Sequence, residues 1–283
     1  MILVIGSTGT VGRRVVAGLS AAGRRVRAFT RDPARADFGP GVEVAVGDLG
    51  RPDTVRKALD GVDGVFVLSA GPDALRHELA VADAVRRLGV RRVVKLSSVA
   101  AVPPVTPGYG DDHAAAEQAF AGSGADWTAL RGAGFMSNVL QWRRSIAAED
   151  TVYQPFGELP RALVAPGDVS DAAVACLLRD DLGGEVFQLT GPQALTTPQQ
   201  VAAVAALLGR PLKYVEAPAE FALKAMVGAG LPEPYAAGLL AANGDPEPLR
   251  GGTVLPDLER LIVRPACTFD AWLARNKGEF TTA

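Results

Sequence analysis

Residues 2–12, ILVIGSTGTVG, constrain the fold more than any other stretch of the chain. An apolar run of strand character ends at Gly6, and a helical pattern, VGRRVVAGLSAAG, opens directly behind it. Glycines stand at positions 6, 9 and 12 of that junction. A strand that turns into a helix through glycines gathers backbone N–H groups and the positive end of the helix dipole at one point, which suits a diphosphate. Gly6 is expected to make the tight turn, Gly9 to let the backbone approach the diphosphate, and Gly12 to let helix and strand pack closely. The loop Gly6, Ser7, Thr8, Gly9, Thr10, Val11 and Gly12 is therefore the first candidate for dinucleotide binding.

The rest of the first half repeats the theme. RRVRAFT (24–30), VEVAVGD (42–48), VDGVFVLSA (62–70) and RRVVKLSS (91–98) alternate with amphipathic stretches of helix length, and Gly23, Gly61 and Gly89 stand where helices should end. Strands this apolar, separated by helices, point to a parallel sheet covered on both faces. The expected class is α/β, a Rossmann-type doubly wound parallel sheet with a smaller C-terminal substrate lobe. After about residue 150 the rhythm changes. Pro155, Pro160 and Pro166 cluster, GDVSDAAVACLLRD reads as a helix, EVFQLTG as a strand, and TTPQQVAAVAALLG as a helix with Thr196 or Thr197 as its N-cap. The segment 228–256 is dense in Gly and Pro and reads as a lid of loops and short helices. The expected division is an NAD(P)-binding domain over residues 1–150 and a substrate-binding lobe over 151–283, with the strand at 184–190 able to join the main sheet.

Several classes are set aside on composition. The chain has 283 residues and a formal net charge of −2, enough length for a large core and no electrostatic footprint for nucleic acid or an anionic membrane. No charged leader precedes the first apolar run, and no apolar stretch approaches the roughly 20 residues of a membrane span. The two cysteines, Cys176 and Cys267, make neither a disulfide framework nor a metal site. A cytoplasmic protein without a metal is expected; the oligomeric state is left open.

Three further strand ends refine the cofactor reading. The second strand closes on Thr30 and Arg31, where an arginine suits the 2′-phosphate of NADPH, with Arg13 and Arg14 close behind the glycine loop. Asp32, next in line, is the residue that would instead favour the ribose of NADH. NADPH is expected as the preferred cofactor, with NADH as the alternative. Asp48 and Leu49 close the third strand, where the adenine edge would lie. Ser69, Ala70 and Gly71 close the fourth, where small residues let a ribose approach.

The segments VIGSTGTVGRRVV, AFTRDP, GDL at 47–49, DGVFVLS, VVKLSS and HAAAEQAFAGSGADWTALRGAGFMSN together carry a resemblance. So do DVSDAAVACLL, FQLTGPQALTTPQQVAAVAALLGR and TFDAWLARN nearer the C-terminus. The chain resembles the NmrA-like branch of atypical short-chain dehydrogenases/reductases, close to the type 2 NAD(P)H:quinone oxidoreductases, over essentially its whole length. That resemblance implies an NAD(P)H-dependent oxidoreductase reducing a quinone or ketone on a small aromatic molecule; relatives serve as tailoring enzymes in aromatic polyketide pathways. The branch also includes NADP-sensing regulators without catalysis, and a hydroquinone product that reacts with O2 would make a hydroxylase of the same site. One departure stands out. Relatives read Leu-Arg-Pro after the sixth strand, where this chain has Leu130-Arg131-Gly132-Ala133-Gly134.

The same resemblance supplies the catalytic candidates. In the superfamily a serine ending the fifth strand polarises the substrate carbonyl, a tyrosine donates the proton, and a lysine four residues later lowers its pKa. Here Ser97 and Ser98 end RRVVKLSS, and Tyr109-x-x-x-His113 fills the tyrosine–lysine spacing, with Glu117 one turn on. Histidine titrates near neutrality, so His113 is expected to supply the proton or to hold Tyr109. A plainer reading keeps Tyr109 in the loop VPPVTPGYG, with Asp111 or Asp112 capping a helix in which His113 is a first-turn residue. Lys95 is read as facing a helix or the sheet end rather than replacing the missing lysine, and His77 as solvent-exposed. Phe135, Met136, Asn138 and Trp142, with Tyr153 and Phe156 nearby, are the candidates for an aromatic substrate wall.

Overall fold

The computed structural model describes residues 1–281. Among the described residues nine strands are present: β1 Ile2–Ile5, β2 Val26–Thr30, β3 Val42–Val46, β4 Gly64–Val67, β5 Arg92–Ser98, β6 Asp126–Gly132, β7 Thr151–Gln154, β8 Val186–Leu189 and β9 Lys213–Glu216. Seven of them form one parallel sheet in the order β3-β2-β1-β4-β5-β6-β8, and β7 pairs with β9 in a small second sheet. The order reverses between β1 and β4, and such a switch point leaves a crevice at the carboxyl ends of the strands.

The helices follow the strands on both faces. They are α1 Thr10–Ala21, α2 Pro52–Leu59, α3 Ala74–Leu88, α4 Tyr109–Ala121, α5 Arg143–Glu149, α6 Pro166–Leu178, α7 Thr197–Leu208, α8 Ala219–Gly228, α9 Glu233–Gly244, α10 Asp257–Ile262, α11 Phe269–Arg275 and α12 Gly278–Thr281. Alternation along the buried strands sorts their side chains into two cores. Val4, Val94 and Leu130 pack with Val15 and Val16 of α1 and Val169 and Ala173 of α6. Leu3, Ile5 and Val93 pack with Val55 of α2, Val81 and Val85 of α3 and Phe120 of α4. A third cluster, with Met136, Trp142, Val204, Phe269 and Trp272, fills the C-terminal part. Full burial of one such aliphatic side chain is worth about 1.5–3 kcal/mol.

The strand within 184–190 does join the main sheet, as β8 beside β6. Residues after 150 therefore contribute to the sheet layer as well as to the lobe above it. The buried Arg92 shows how that return is fastened: its guanidinium reaches Asp126 at 3.0 Å, Asp180 at 2.7 Å and the Arg179 carbonyl at 2.6 Å. One local expectation changes. The α4 helix starts at Tyr109, two residues before Asp111, and Asp111 reaches back from inside the first turn to accept the Gly108 N–H at 2.9 Å. Tyr109 is thus a first-turn helical residue rather than a loop residue, one turn above His113.

Candidate active site

The glycine loop is shaped by two contacts that only glycine permits. Gly6 has φ +76°, and a Cβ there would stand 2.7 Å from the Leu68 carbonyl oxygen. A Cβ on Gly12 would collide with the carbonyl of Gly6, so its absence lets α1 begin against the end of β1. Inside the loop the residues divide. Ser7 is fully buried and donates to the Phe29 carbonyl at 2.9 Å, while the Val11 carbonyl accepts from Ser170 at 3.1 Å. Both are framework. Gly9 and Thr10 are exposed and Thr8 is half-buried, so these three present the backbone at the mouth of α1.

The next two strand ends separate structural from available charge. Asp32, the residue that would favour NADH, accepts the Ala34 N–H at 3.0 Å and caps the turn that follows. Thr30 holds the same turn through Asp32. Arg13 is also committed: it donates to the carbonyls of Asp37 and Arg35 at 2.9 Å each and lies over the Phe38 ring. Arg31 is exposed and makes no hydrogen bond or ion pair among the described residues. Asp48 Oδ1 accepts the Gly50 N–H at 2.8 Å, and Leu49 packs on the core below it. At the end of β4, Ser69 Oγ lies 3.3 Å from Nδ1 of His77. His77 is half-buried, not solvent-exposed as expected, and burial first, then the Arg76 charge, lowers its pKa.

Past β4 the crevice deepens into a cavity of about 800 Å³ that shares Ser69, Ala70 and Gly71 with the groove. Phe135, Asn138 and Trp142 line it, joined by Tyr153 and Phe156 and by Phe221 and Met226 of α8. Met136 does not line it. The chain after β6 bridges Phe135 to Val164, which turns Met136 into the core, where it is 1 % exposed. Over the top, α9 lies against α4: the Tyr235 and Tyr109 ring centroids are 6.1 Å apart, and Thr106 donates to Asp245 at 3.1 Å. Arg161 pins this cover by donating to the carbonyls of Asn243 and Asp245 at 2.5 and 2.9 Å, and burial lowers its pKa.

The wall between β5 and α4 carries the chemistry. Ser97 donates to Glu117 at 2.5 Å, and Arg131 closes on the same carboxylate at 3.1 and 2.7 Å, which makes a buried structural network. Ser98 has the other orientation. Its Oγ accepts the Ala100 N–H at 3.2 Å, and its hydroxyl acts on Tyr109. Burial pushes the Tyr109 phenol up to about 12, with the nearby Tyr235 adding to the rise and Ser98 drawing it partly back. Tyr109 is therefore a phenol, a donor, throughout the neutral range.

His113 stacks edge-on against Tyr109 with ring centroids 4.8 Å apart. Burial, reinforced by the charge of Lys95, drives its pKa down to about 3. It is neutral near pH 7, so the expectation that it titrates near neutrality is overturned. Lys95 faces helices, as expected, and it is not idle there. Lys95 is fully buried, and its Nζ lies 3.3 Å from His113 Nδ1, 3.1 Å from Glu78 Oε2 and 3.3 Å from the Leu96 carbonyl oxygen. A charged group in a central strand must find partners, and α3 and α4 each supply one. Glu78 escaped notice in the sequence, although it shares one helical stripe with Val81, Ala82 and Val85, all buried. A carboxylate on an apolar stripe and a lysine in an apolar strand are the matching signals.

Residues 6–180 match the model of an NAD(P)H-binding family. The chain belongs to that family. Its sequence is 37% identical over 286 residues to the (4-alkanoyl-5-oxo-2,5-dihydrofuran-3-yl)methyl phosphate reductase of Streptomyces griseus, covering 99% of both chains. It is 34% identical over 288 residues to the NAD(P)H azoreductase of Xenophilus azovorans, covering both in full. Among solved structures, an NADPH-dependent quinone oxidoreductase of Escherichia coli in complex with NADPH superposes with a TM-score of 0.81 at 24% identity, over 97% of this chain and 99% of the other. With reductases aligned end to end, the protein is an NAD(P)H-dependent oxidoreductase. Among the described residues no helix is long and apolar enough to cross a membrane, and no group of three or more His, Cys, Asp or Glu side chains could hold a metal ion.

Proposed function

We propose that this oxidoreductase reduces a quinone or a conjugated ketone of a small aromatic molecule, with NADPH preferred over NADH. The carrying observation is the cavity of about 800 Å³ that continues the dinucleotide groove and gathers hydroxyl donors and aromatic walls. Bound NADPH supplies a hydride. The protein's part is to hold the dinucleotide over Thr8, Gly9, Thr10, Arg31, Asp48, Ser69, Ala70 and Gly71, and to seat the substrate against them.

Each region of the cavity has a role in this reading. Phe135, Trp142, Tyr153 and Phe156 offer flat faces and edges to a planar ring. Trp142 Nε1 is buried without a hydrogen-bond partner among the described residues, and a substrate carbonyl would satisfy it. Ser98 and Tyr109 are hydroxyl donors for the oxygen that gains negative charge as hydride arrives. The cover made by α8 and α9 limits water around that charge. The two similar reductases are named for an azo group and an unsaturated lactone, both conjugated, electron-poor bonds, which supports a quinone or enone acceptor here. The two cysteines form no disulfide, which supports a cytoplasmic setting.

NADPH oxidation measured with simple quinones and with polycyclic aromatic ketones tests the reading. Saturable oxidation with at least one of them is expected; none with any acceptor overturns it.

A further inference from the structure

Among the buried ionisable groups, most are explained by structural pairing. Arg92 is spanned by two carboxylates, and Glu117 has hydrogen bonds on both oxygens. The Glu78–Lys95 pair differs. Both residues are at most 2 % exposed, Glu78 and His113 border the cavity wall with Lys95 directly behind them, and Glu78 Oε1 makes no hydrogen bond among the described residues. The three acceptors around Lys95 Nζ match the three protons of an ammonium group: Glu78 Oε2, the Leu96 carbonyl and His113 Nδ1. An ammonium has protons only to donate, so with Lys95 charged Nδ1 accepts and the single proton of the neutral imidazole lies on Nε2.

We propose that Glu78, Lys95 and His113 form a buried proton relay that serves the reduced substrate, with Lys95 on β5 standing in for a lysine one turn after Tyr109 on the helix. The relay rests on the reductase reading above. After hydride transfer the substrate oxygen carries an extra electron pair. The His113 Nε2–H bond breaks and the O–H bond forms, while Nδ1 takes a proton from Lys95. The imidazole ends neutral in its other tautomer, and Lys95 ends as a neutral amine beside Glu78. Returning the Nδ1 proton to Lys95 and taking one from water at Nε2 restores the start, so one solvent proton is consumed per turnover. Glu78 keeps the lysine charged before the reaction and steadies the ammonium that forms again after it. In this scheme His113 is catalytic, while Lys95 and Glu78 act through it.

The groups facing His113 are Lys95 of β5, Glu78 of α3 behind it, Tyr109 on its own helix and Tyr235 of α9 beside Tyr109. His77 is the second of the two histidines in the chain, so 15N-histidine NMR resolves His113 without crowding. The wild-type spectrum should show the His113 proton on Nε2 and an Nδ1 that accepts a hydrogen bond. In the Lys95→Met/Glu78→Gln double variant, chosen because it removes both charges together, the His113 titration should move up, while burial, the larger cause, still holds it below the ordinary histidine range. With that variant still binding NADPH, kcat for a ketone acceptor should fall about 100-fold with little change in KM, the scale of a lost general acid. The loss should be smaller with quinones, whose reduced anions are more stable. A His113 proton on Nδ1 in the wild-type spectrum overturns the relay even if the variant does not fold. So does a folded double variant with wild-type kcat and pH profile on the ketone. A wild-type enzyme that oxidises no NADPH with any acceptor removes the reductase reading instead.

Discussion

Ser97 and Ser98 are neighbours on one strand with opposite duties, because successive side chains leave a strand on opposite faces. Ser97 completes the Glu117–Arg131 network, and Ser98 faces Tyr109. The Ser97→Ala protein should lose about 1–3 kcal/mol of stability in urea unfolding, the cost of an unmet buried acceptor, with kcat per folded molecule nearly unchanged. The Ser98→Ala protein should keep its stability and lose kcat instead. His113 makes a pH prediction of a different kind. Its folded pKa of about 3 lies below the ordinary histidine value of 6.5. Above that ordinary value the ring is neutral in both states and costs nothing. As the pH falls below it, the unfolded chain takes up a proton that the buried ring refuses, and stability is lost progressively towards about 3. Urea unfolding at neutral and mildly acidic pH should show this loss in the wild type and a smaller one in His113→Asn. At this scale the sequence was only half legible. The spacing from Tyr109 to His113 singled out the right turn of helix, but Lys95 and Glu78 are 17 residues apart in the chain, and only the packing of α3 on β5 makes them partners.

The elements were more legible, because period and glycine placement act locally. The β1–α1 junction follows from three glycines, and two of them meet the steric demands expected of them. Gly12→Ala would drive a methyl group into the Gly6 carbonyl and should cost about 1–3 kcal/mol as overpacking, with NADPH binding lost first; calorimetry and dinucleotide titration read both. The start of α4 was harder to read. Gly108 holds φ +75° ahead of the helix, and Asp111 caps from inside the first turn rather than from its edge. Placing the cap at Asp111 or Asp112 left Tyr109 in a loop, although the box formed by Gly108 and Asp111 makes it helical. Met136 was misjudged for a related reason: a bridge to Val164, remote in sequence, fixes which way each residue after β6 faces.

For the molecule as a whole, the parallel sheet was legible in its first five strands, whose apolar runs leave little alternative. The contribution of β8 and the cover of α8 and α9 depend on contacts across the chain, such as Arg161 with the carbonyls that end α9, and these leave no local pattern. Cofactor choice belongs at this scale too, since it rests on how β2 meets α1. With Asp32 and Arg13 committed to the turn, Arg31 is a charge at that corner without a partner among the described residues. Arg31→Ala should weaken NADPH binding about tenfold or more and leave NADH binding little changed, as expected for one charge-assisted contact. The central claim is that the groove and cavity together make a reductase of conjugated carbonyl compounds. Steady-state NADPH oxidation by the purified wild-type protein, under anaerobic conditions and across quinones and aromatic ketones, tests it most directly. Saturable turnover that continues without O2 is the predicted result; tight NADPH binding with no turnover on any acceptor would contradict it.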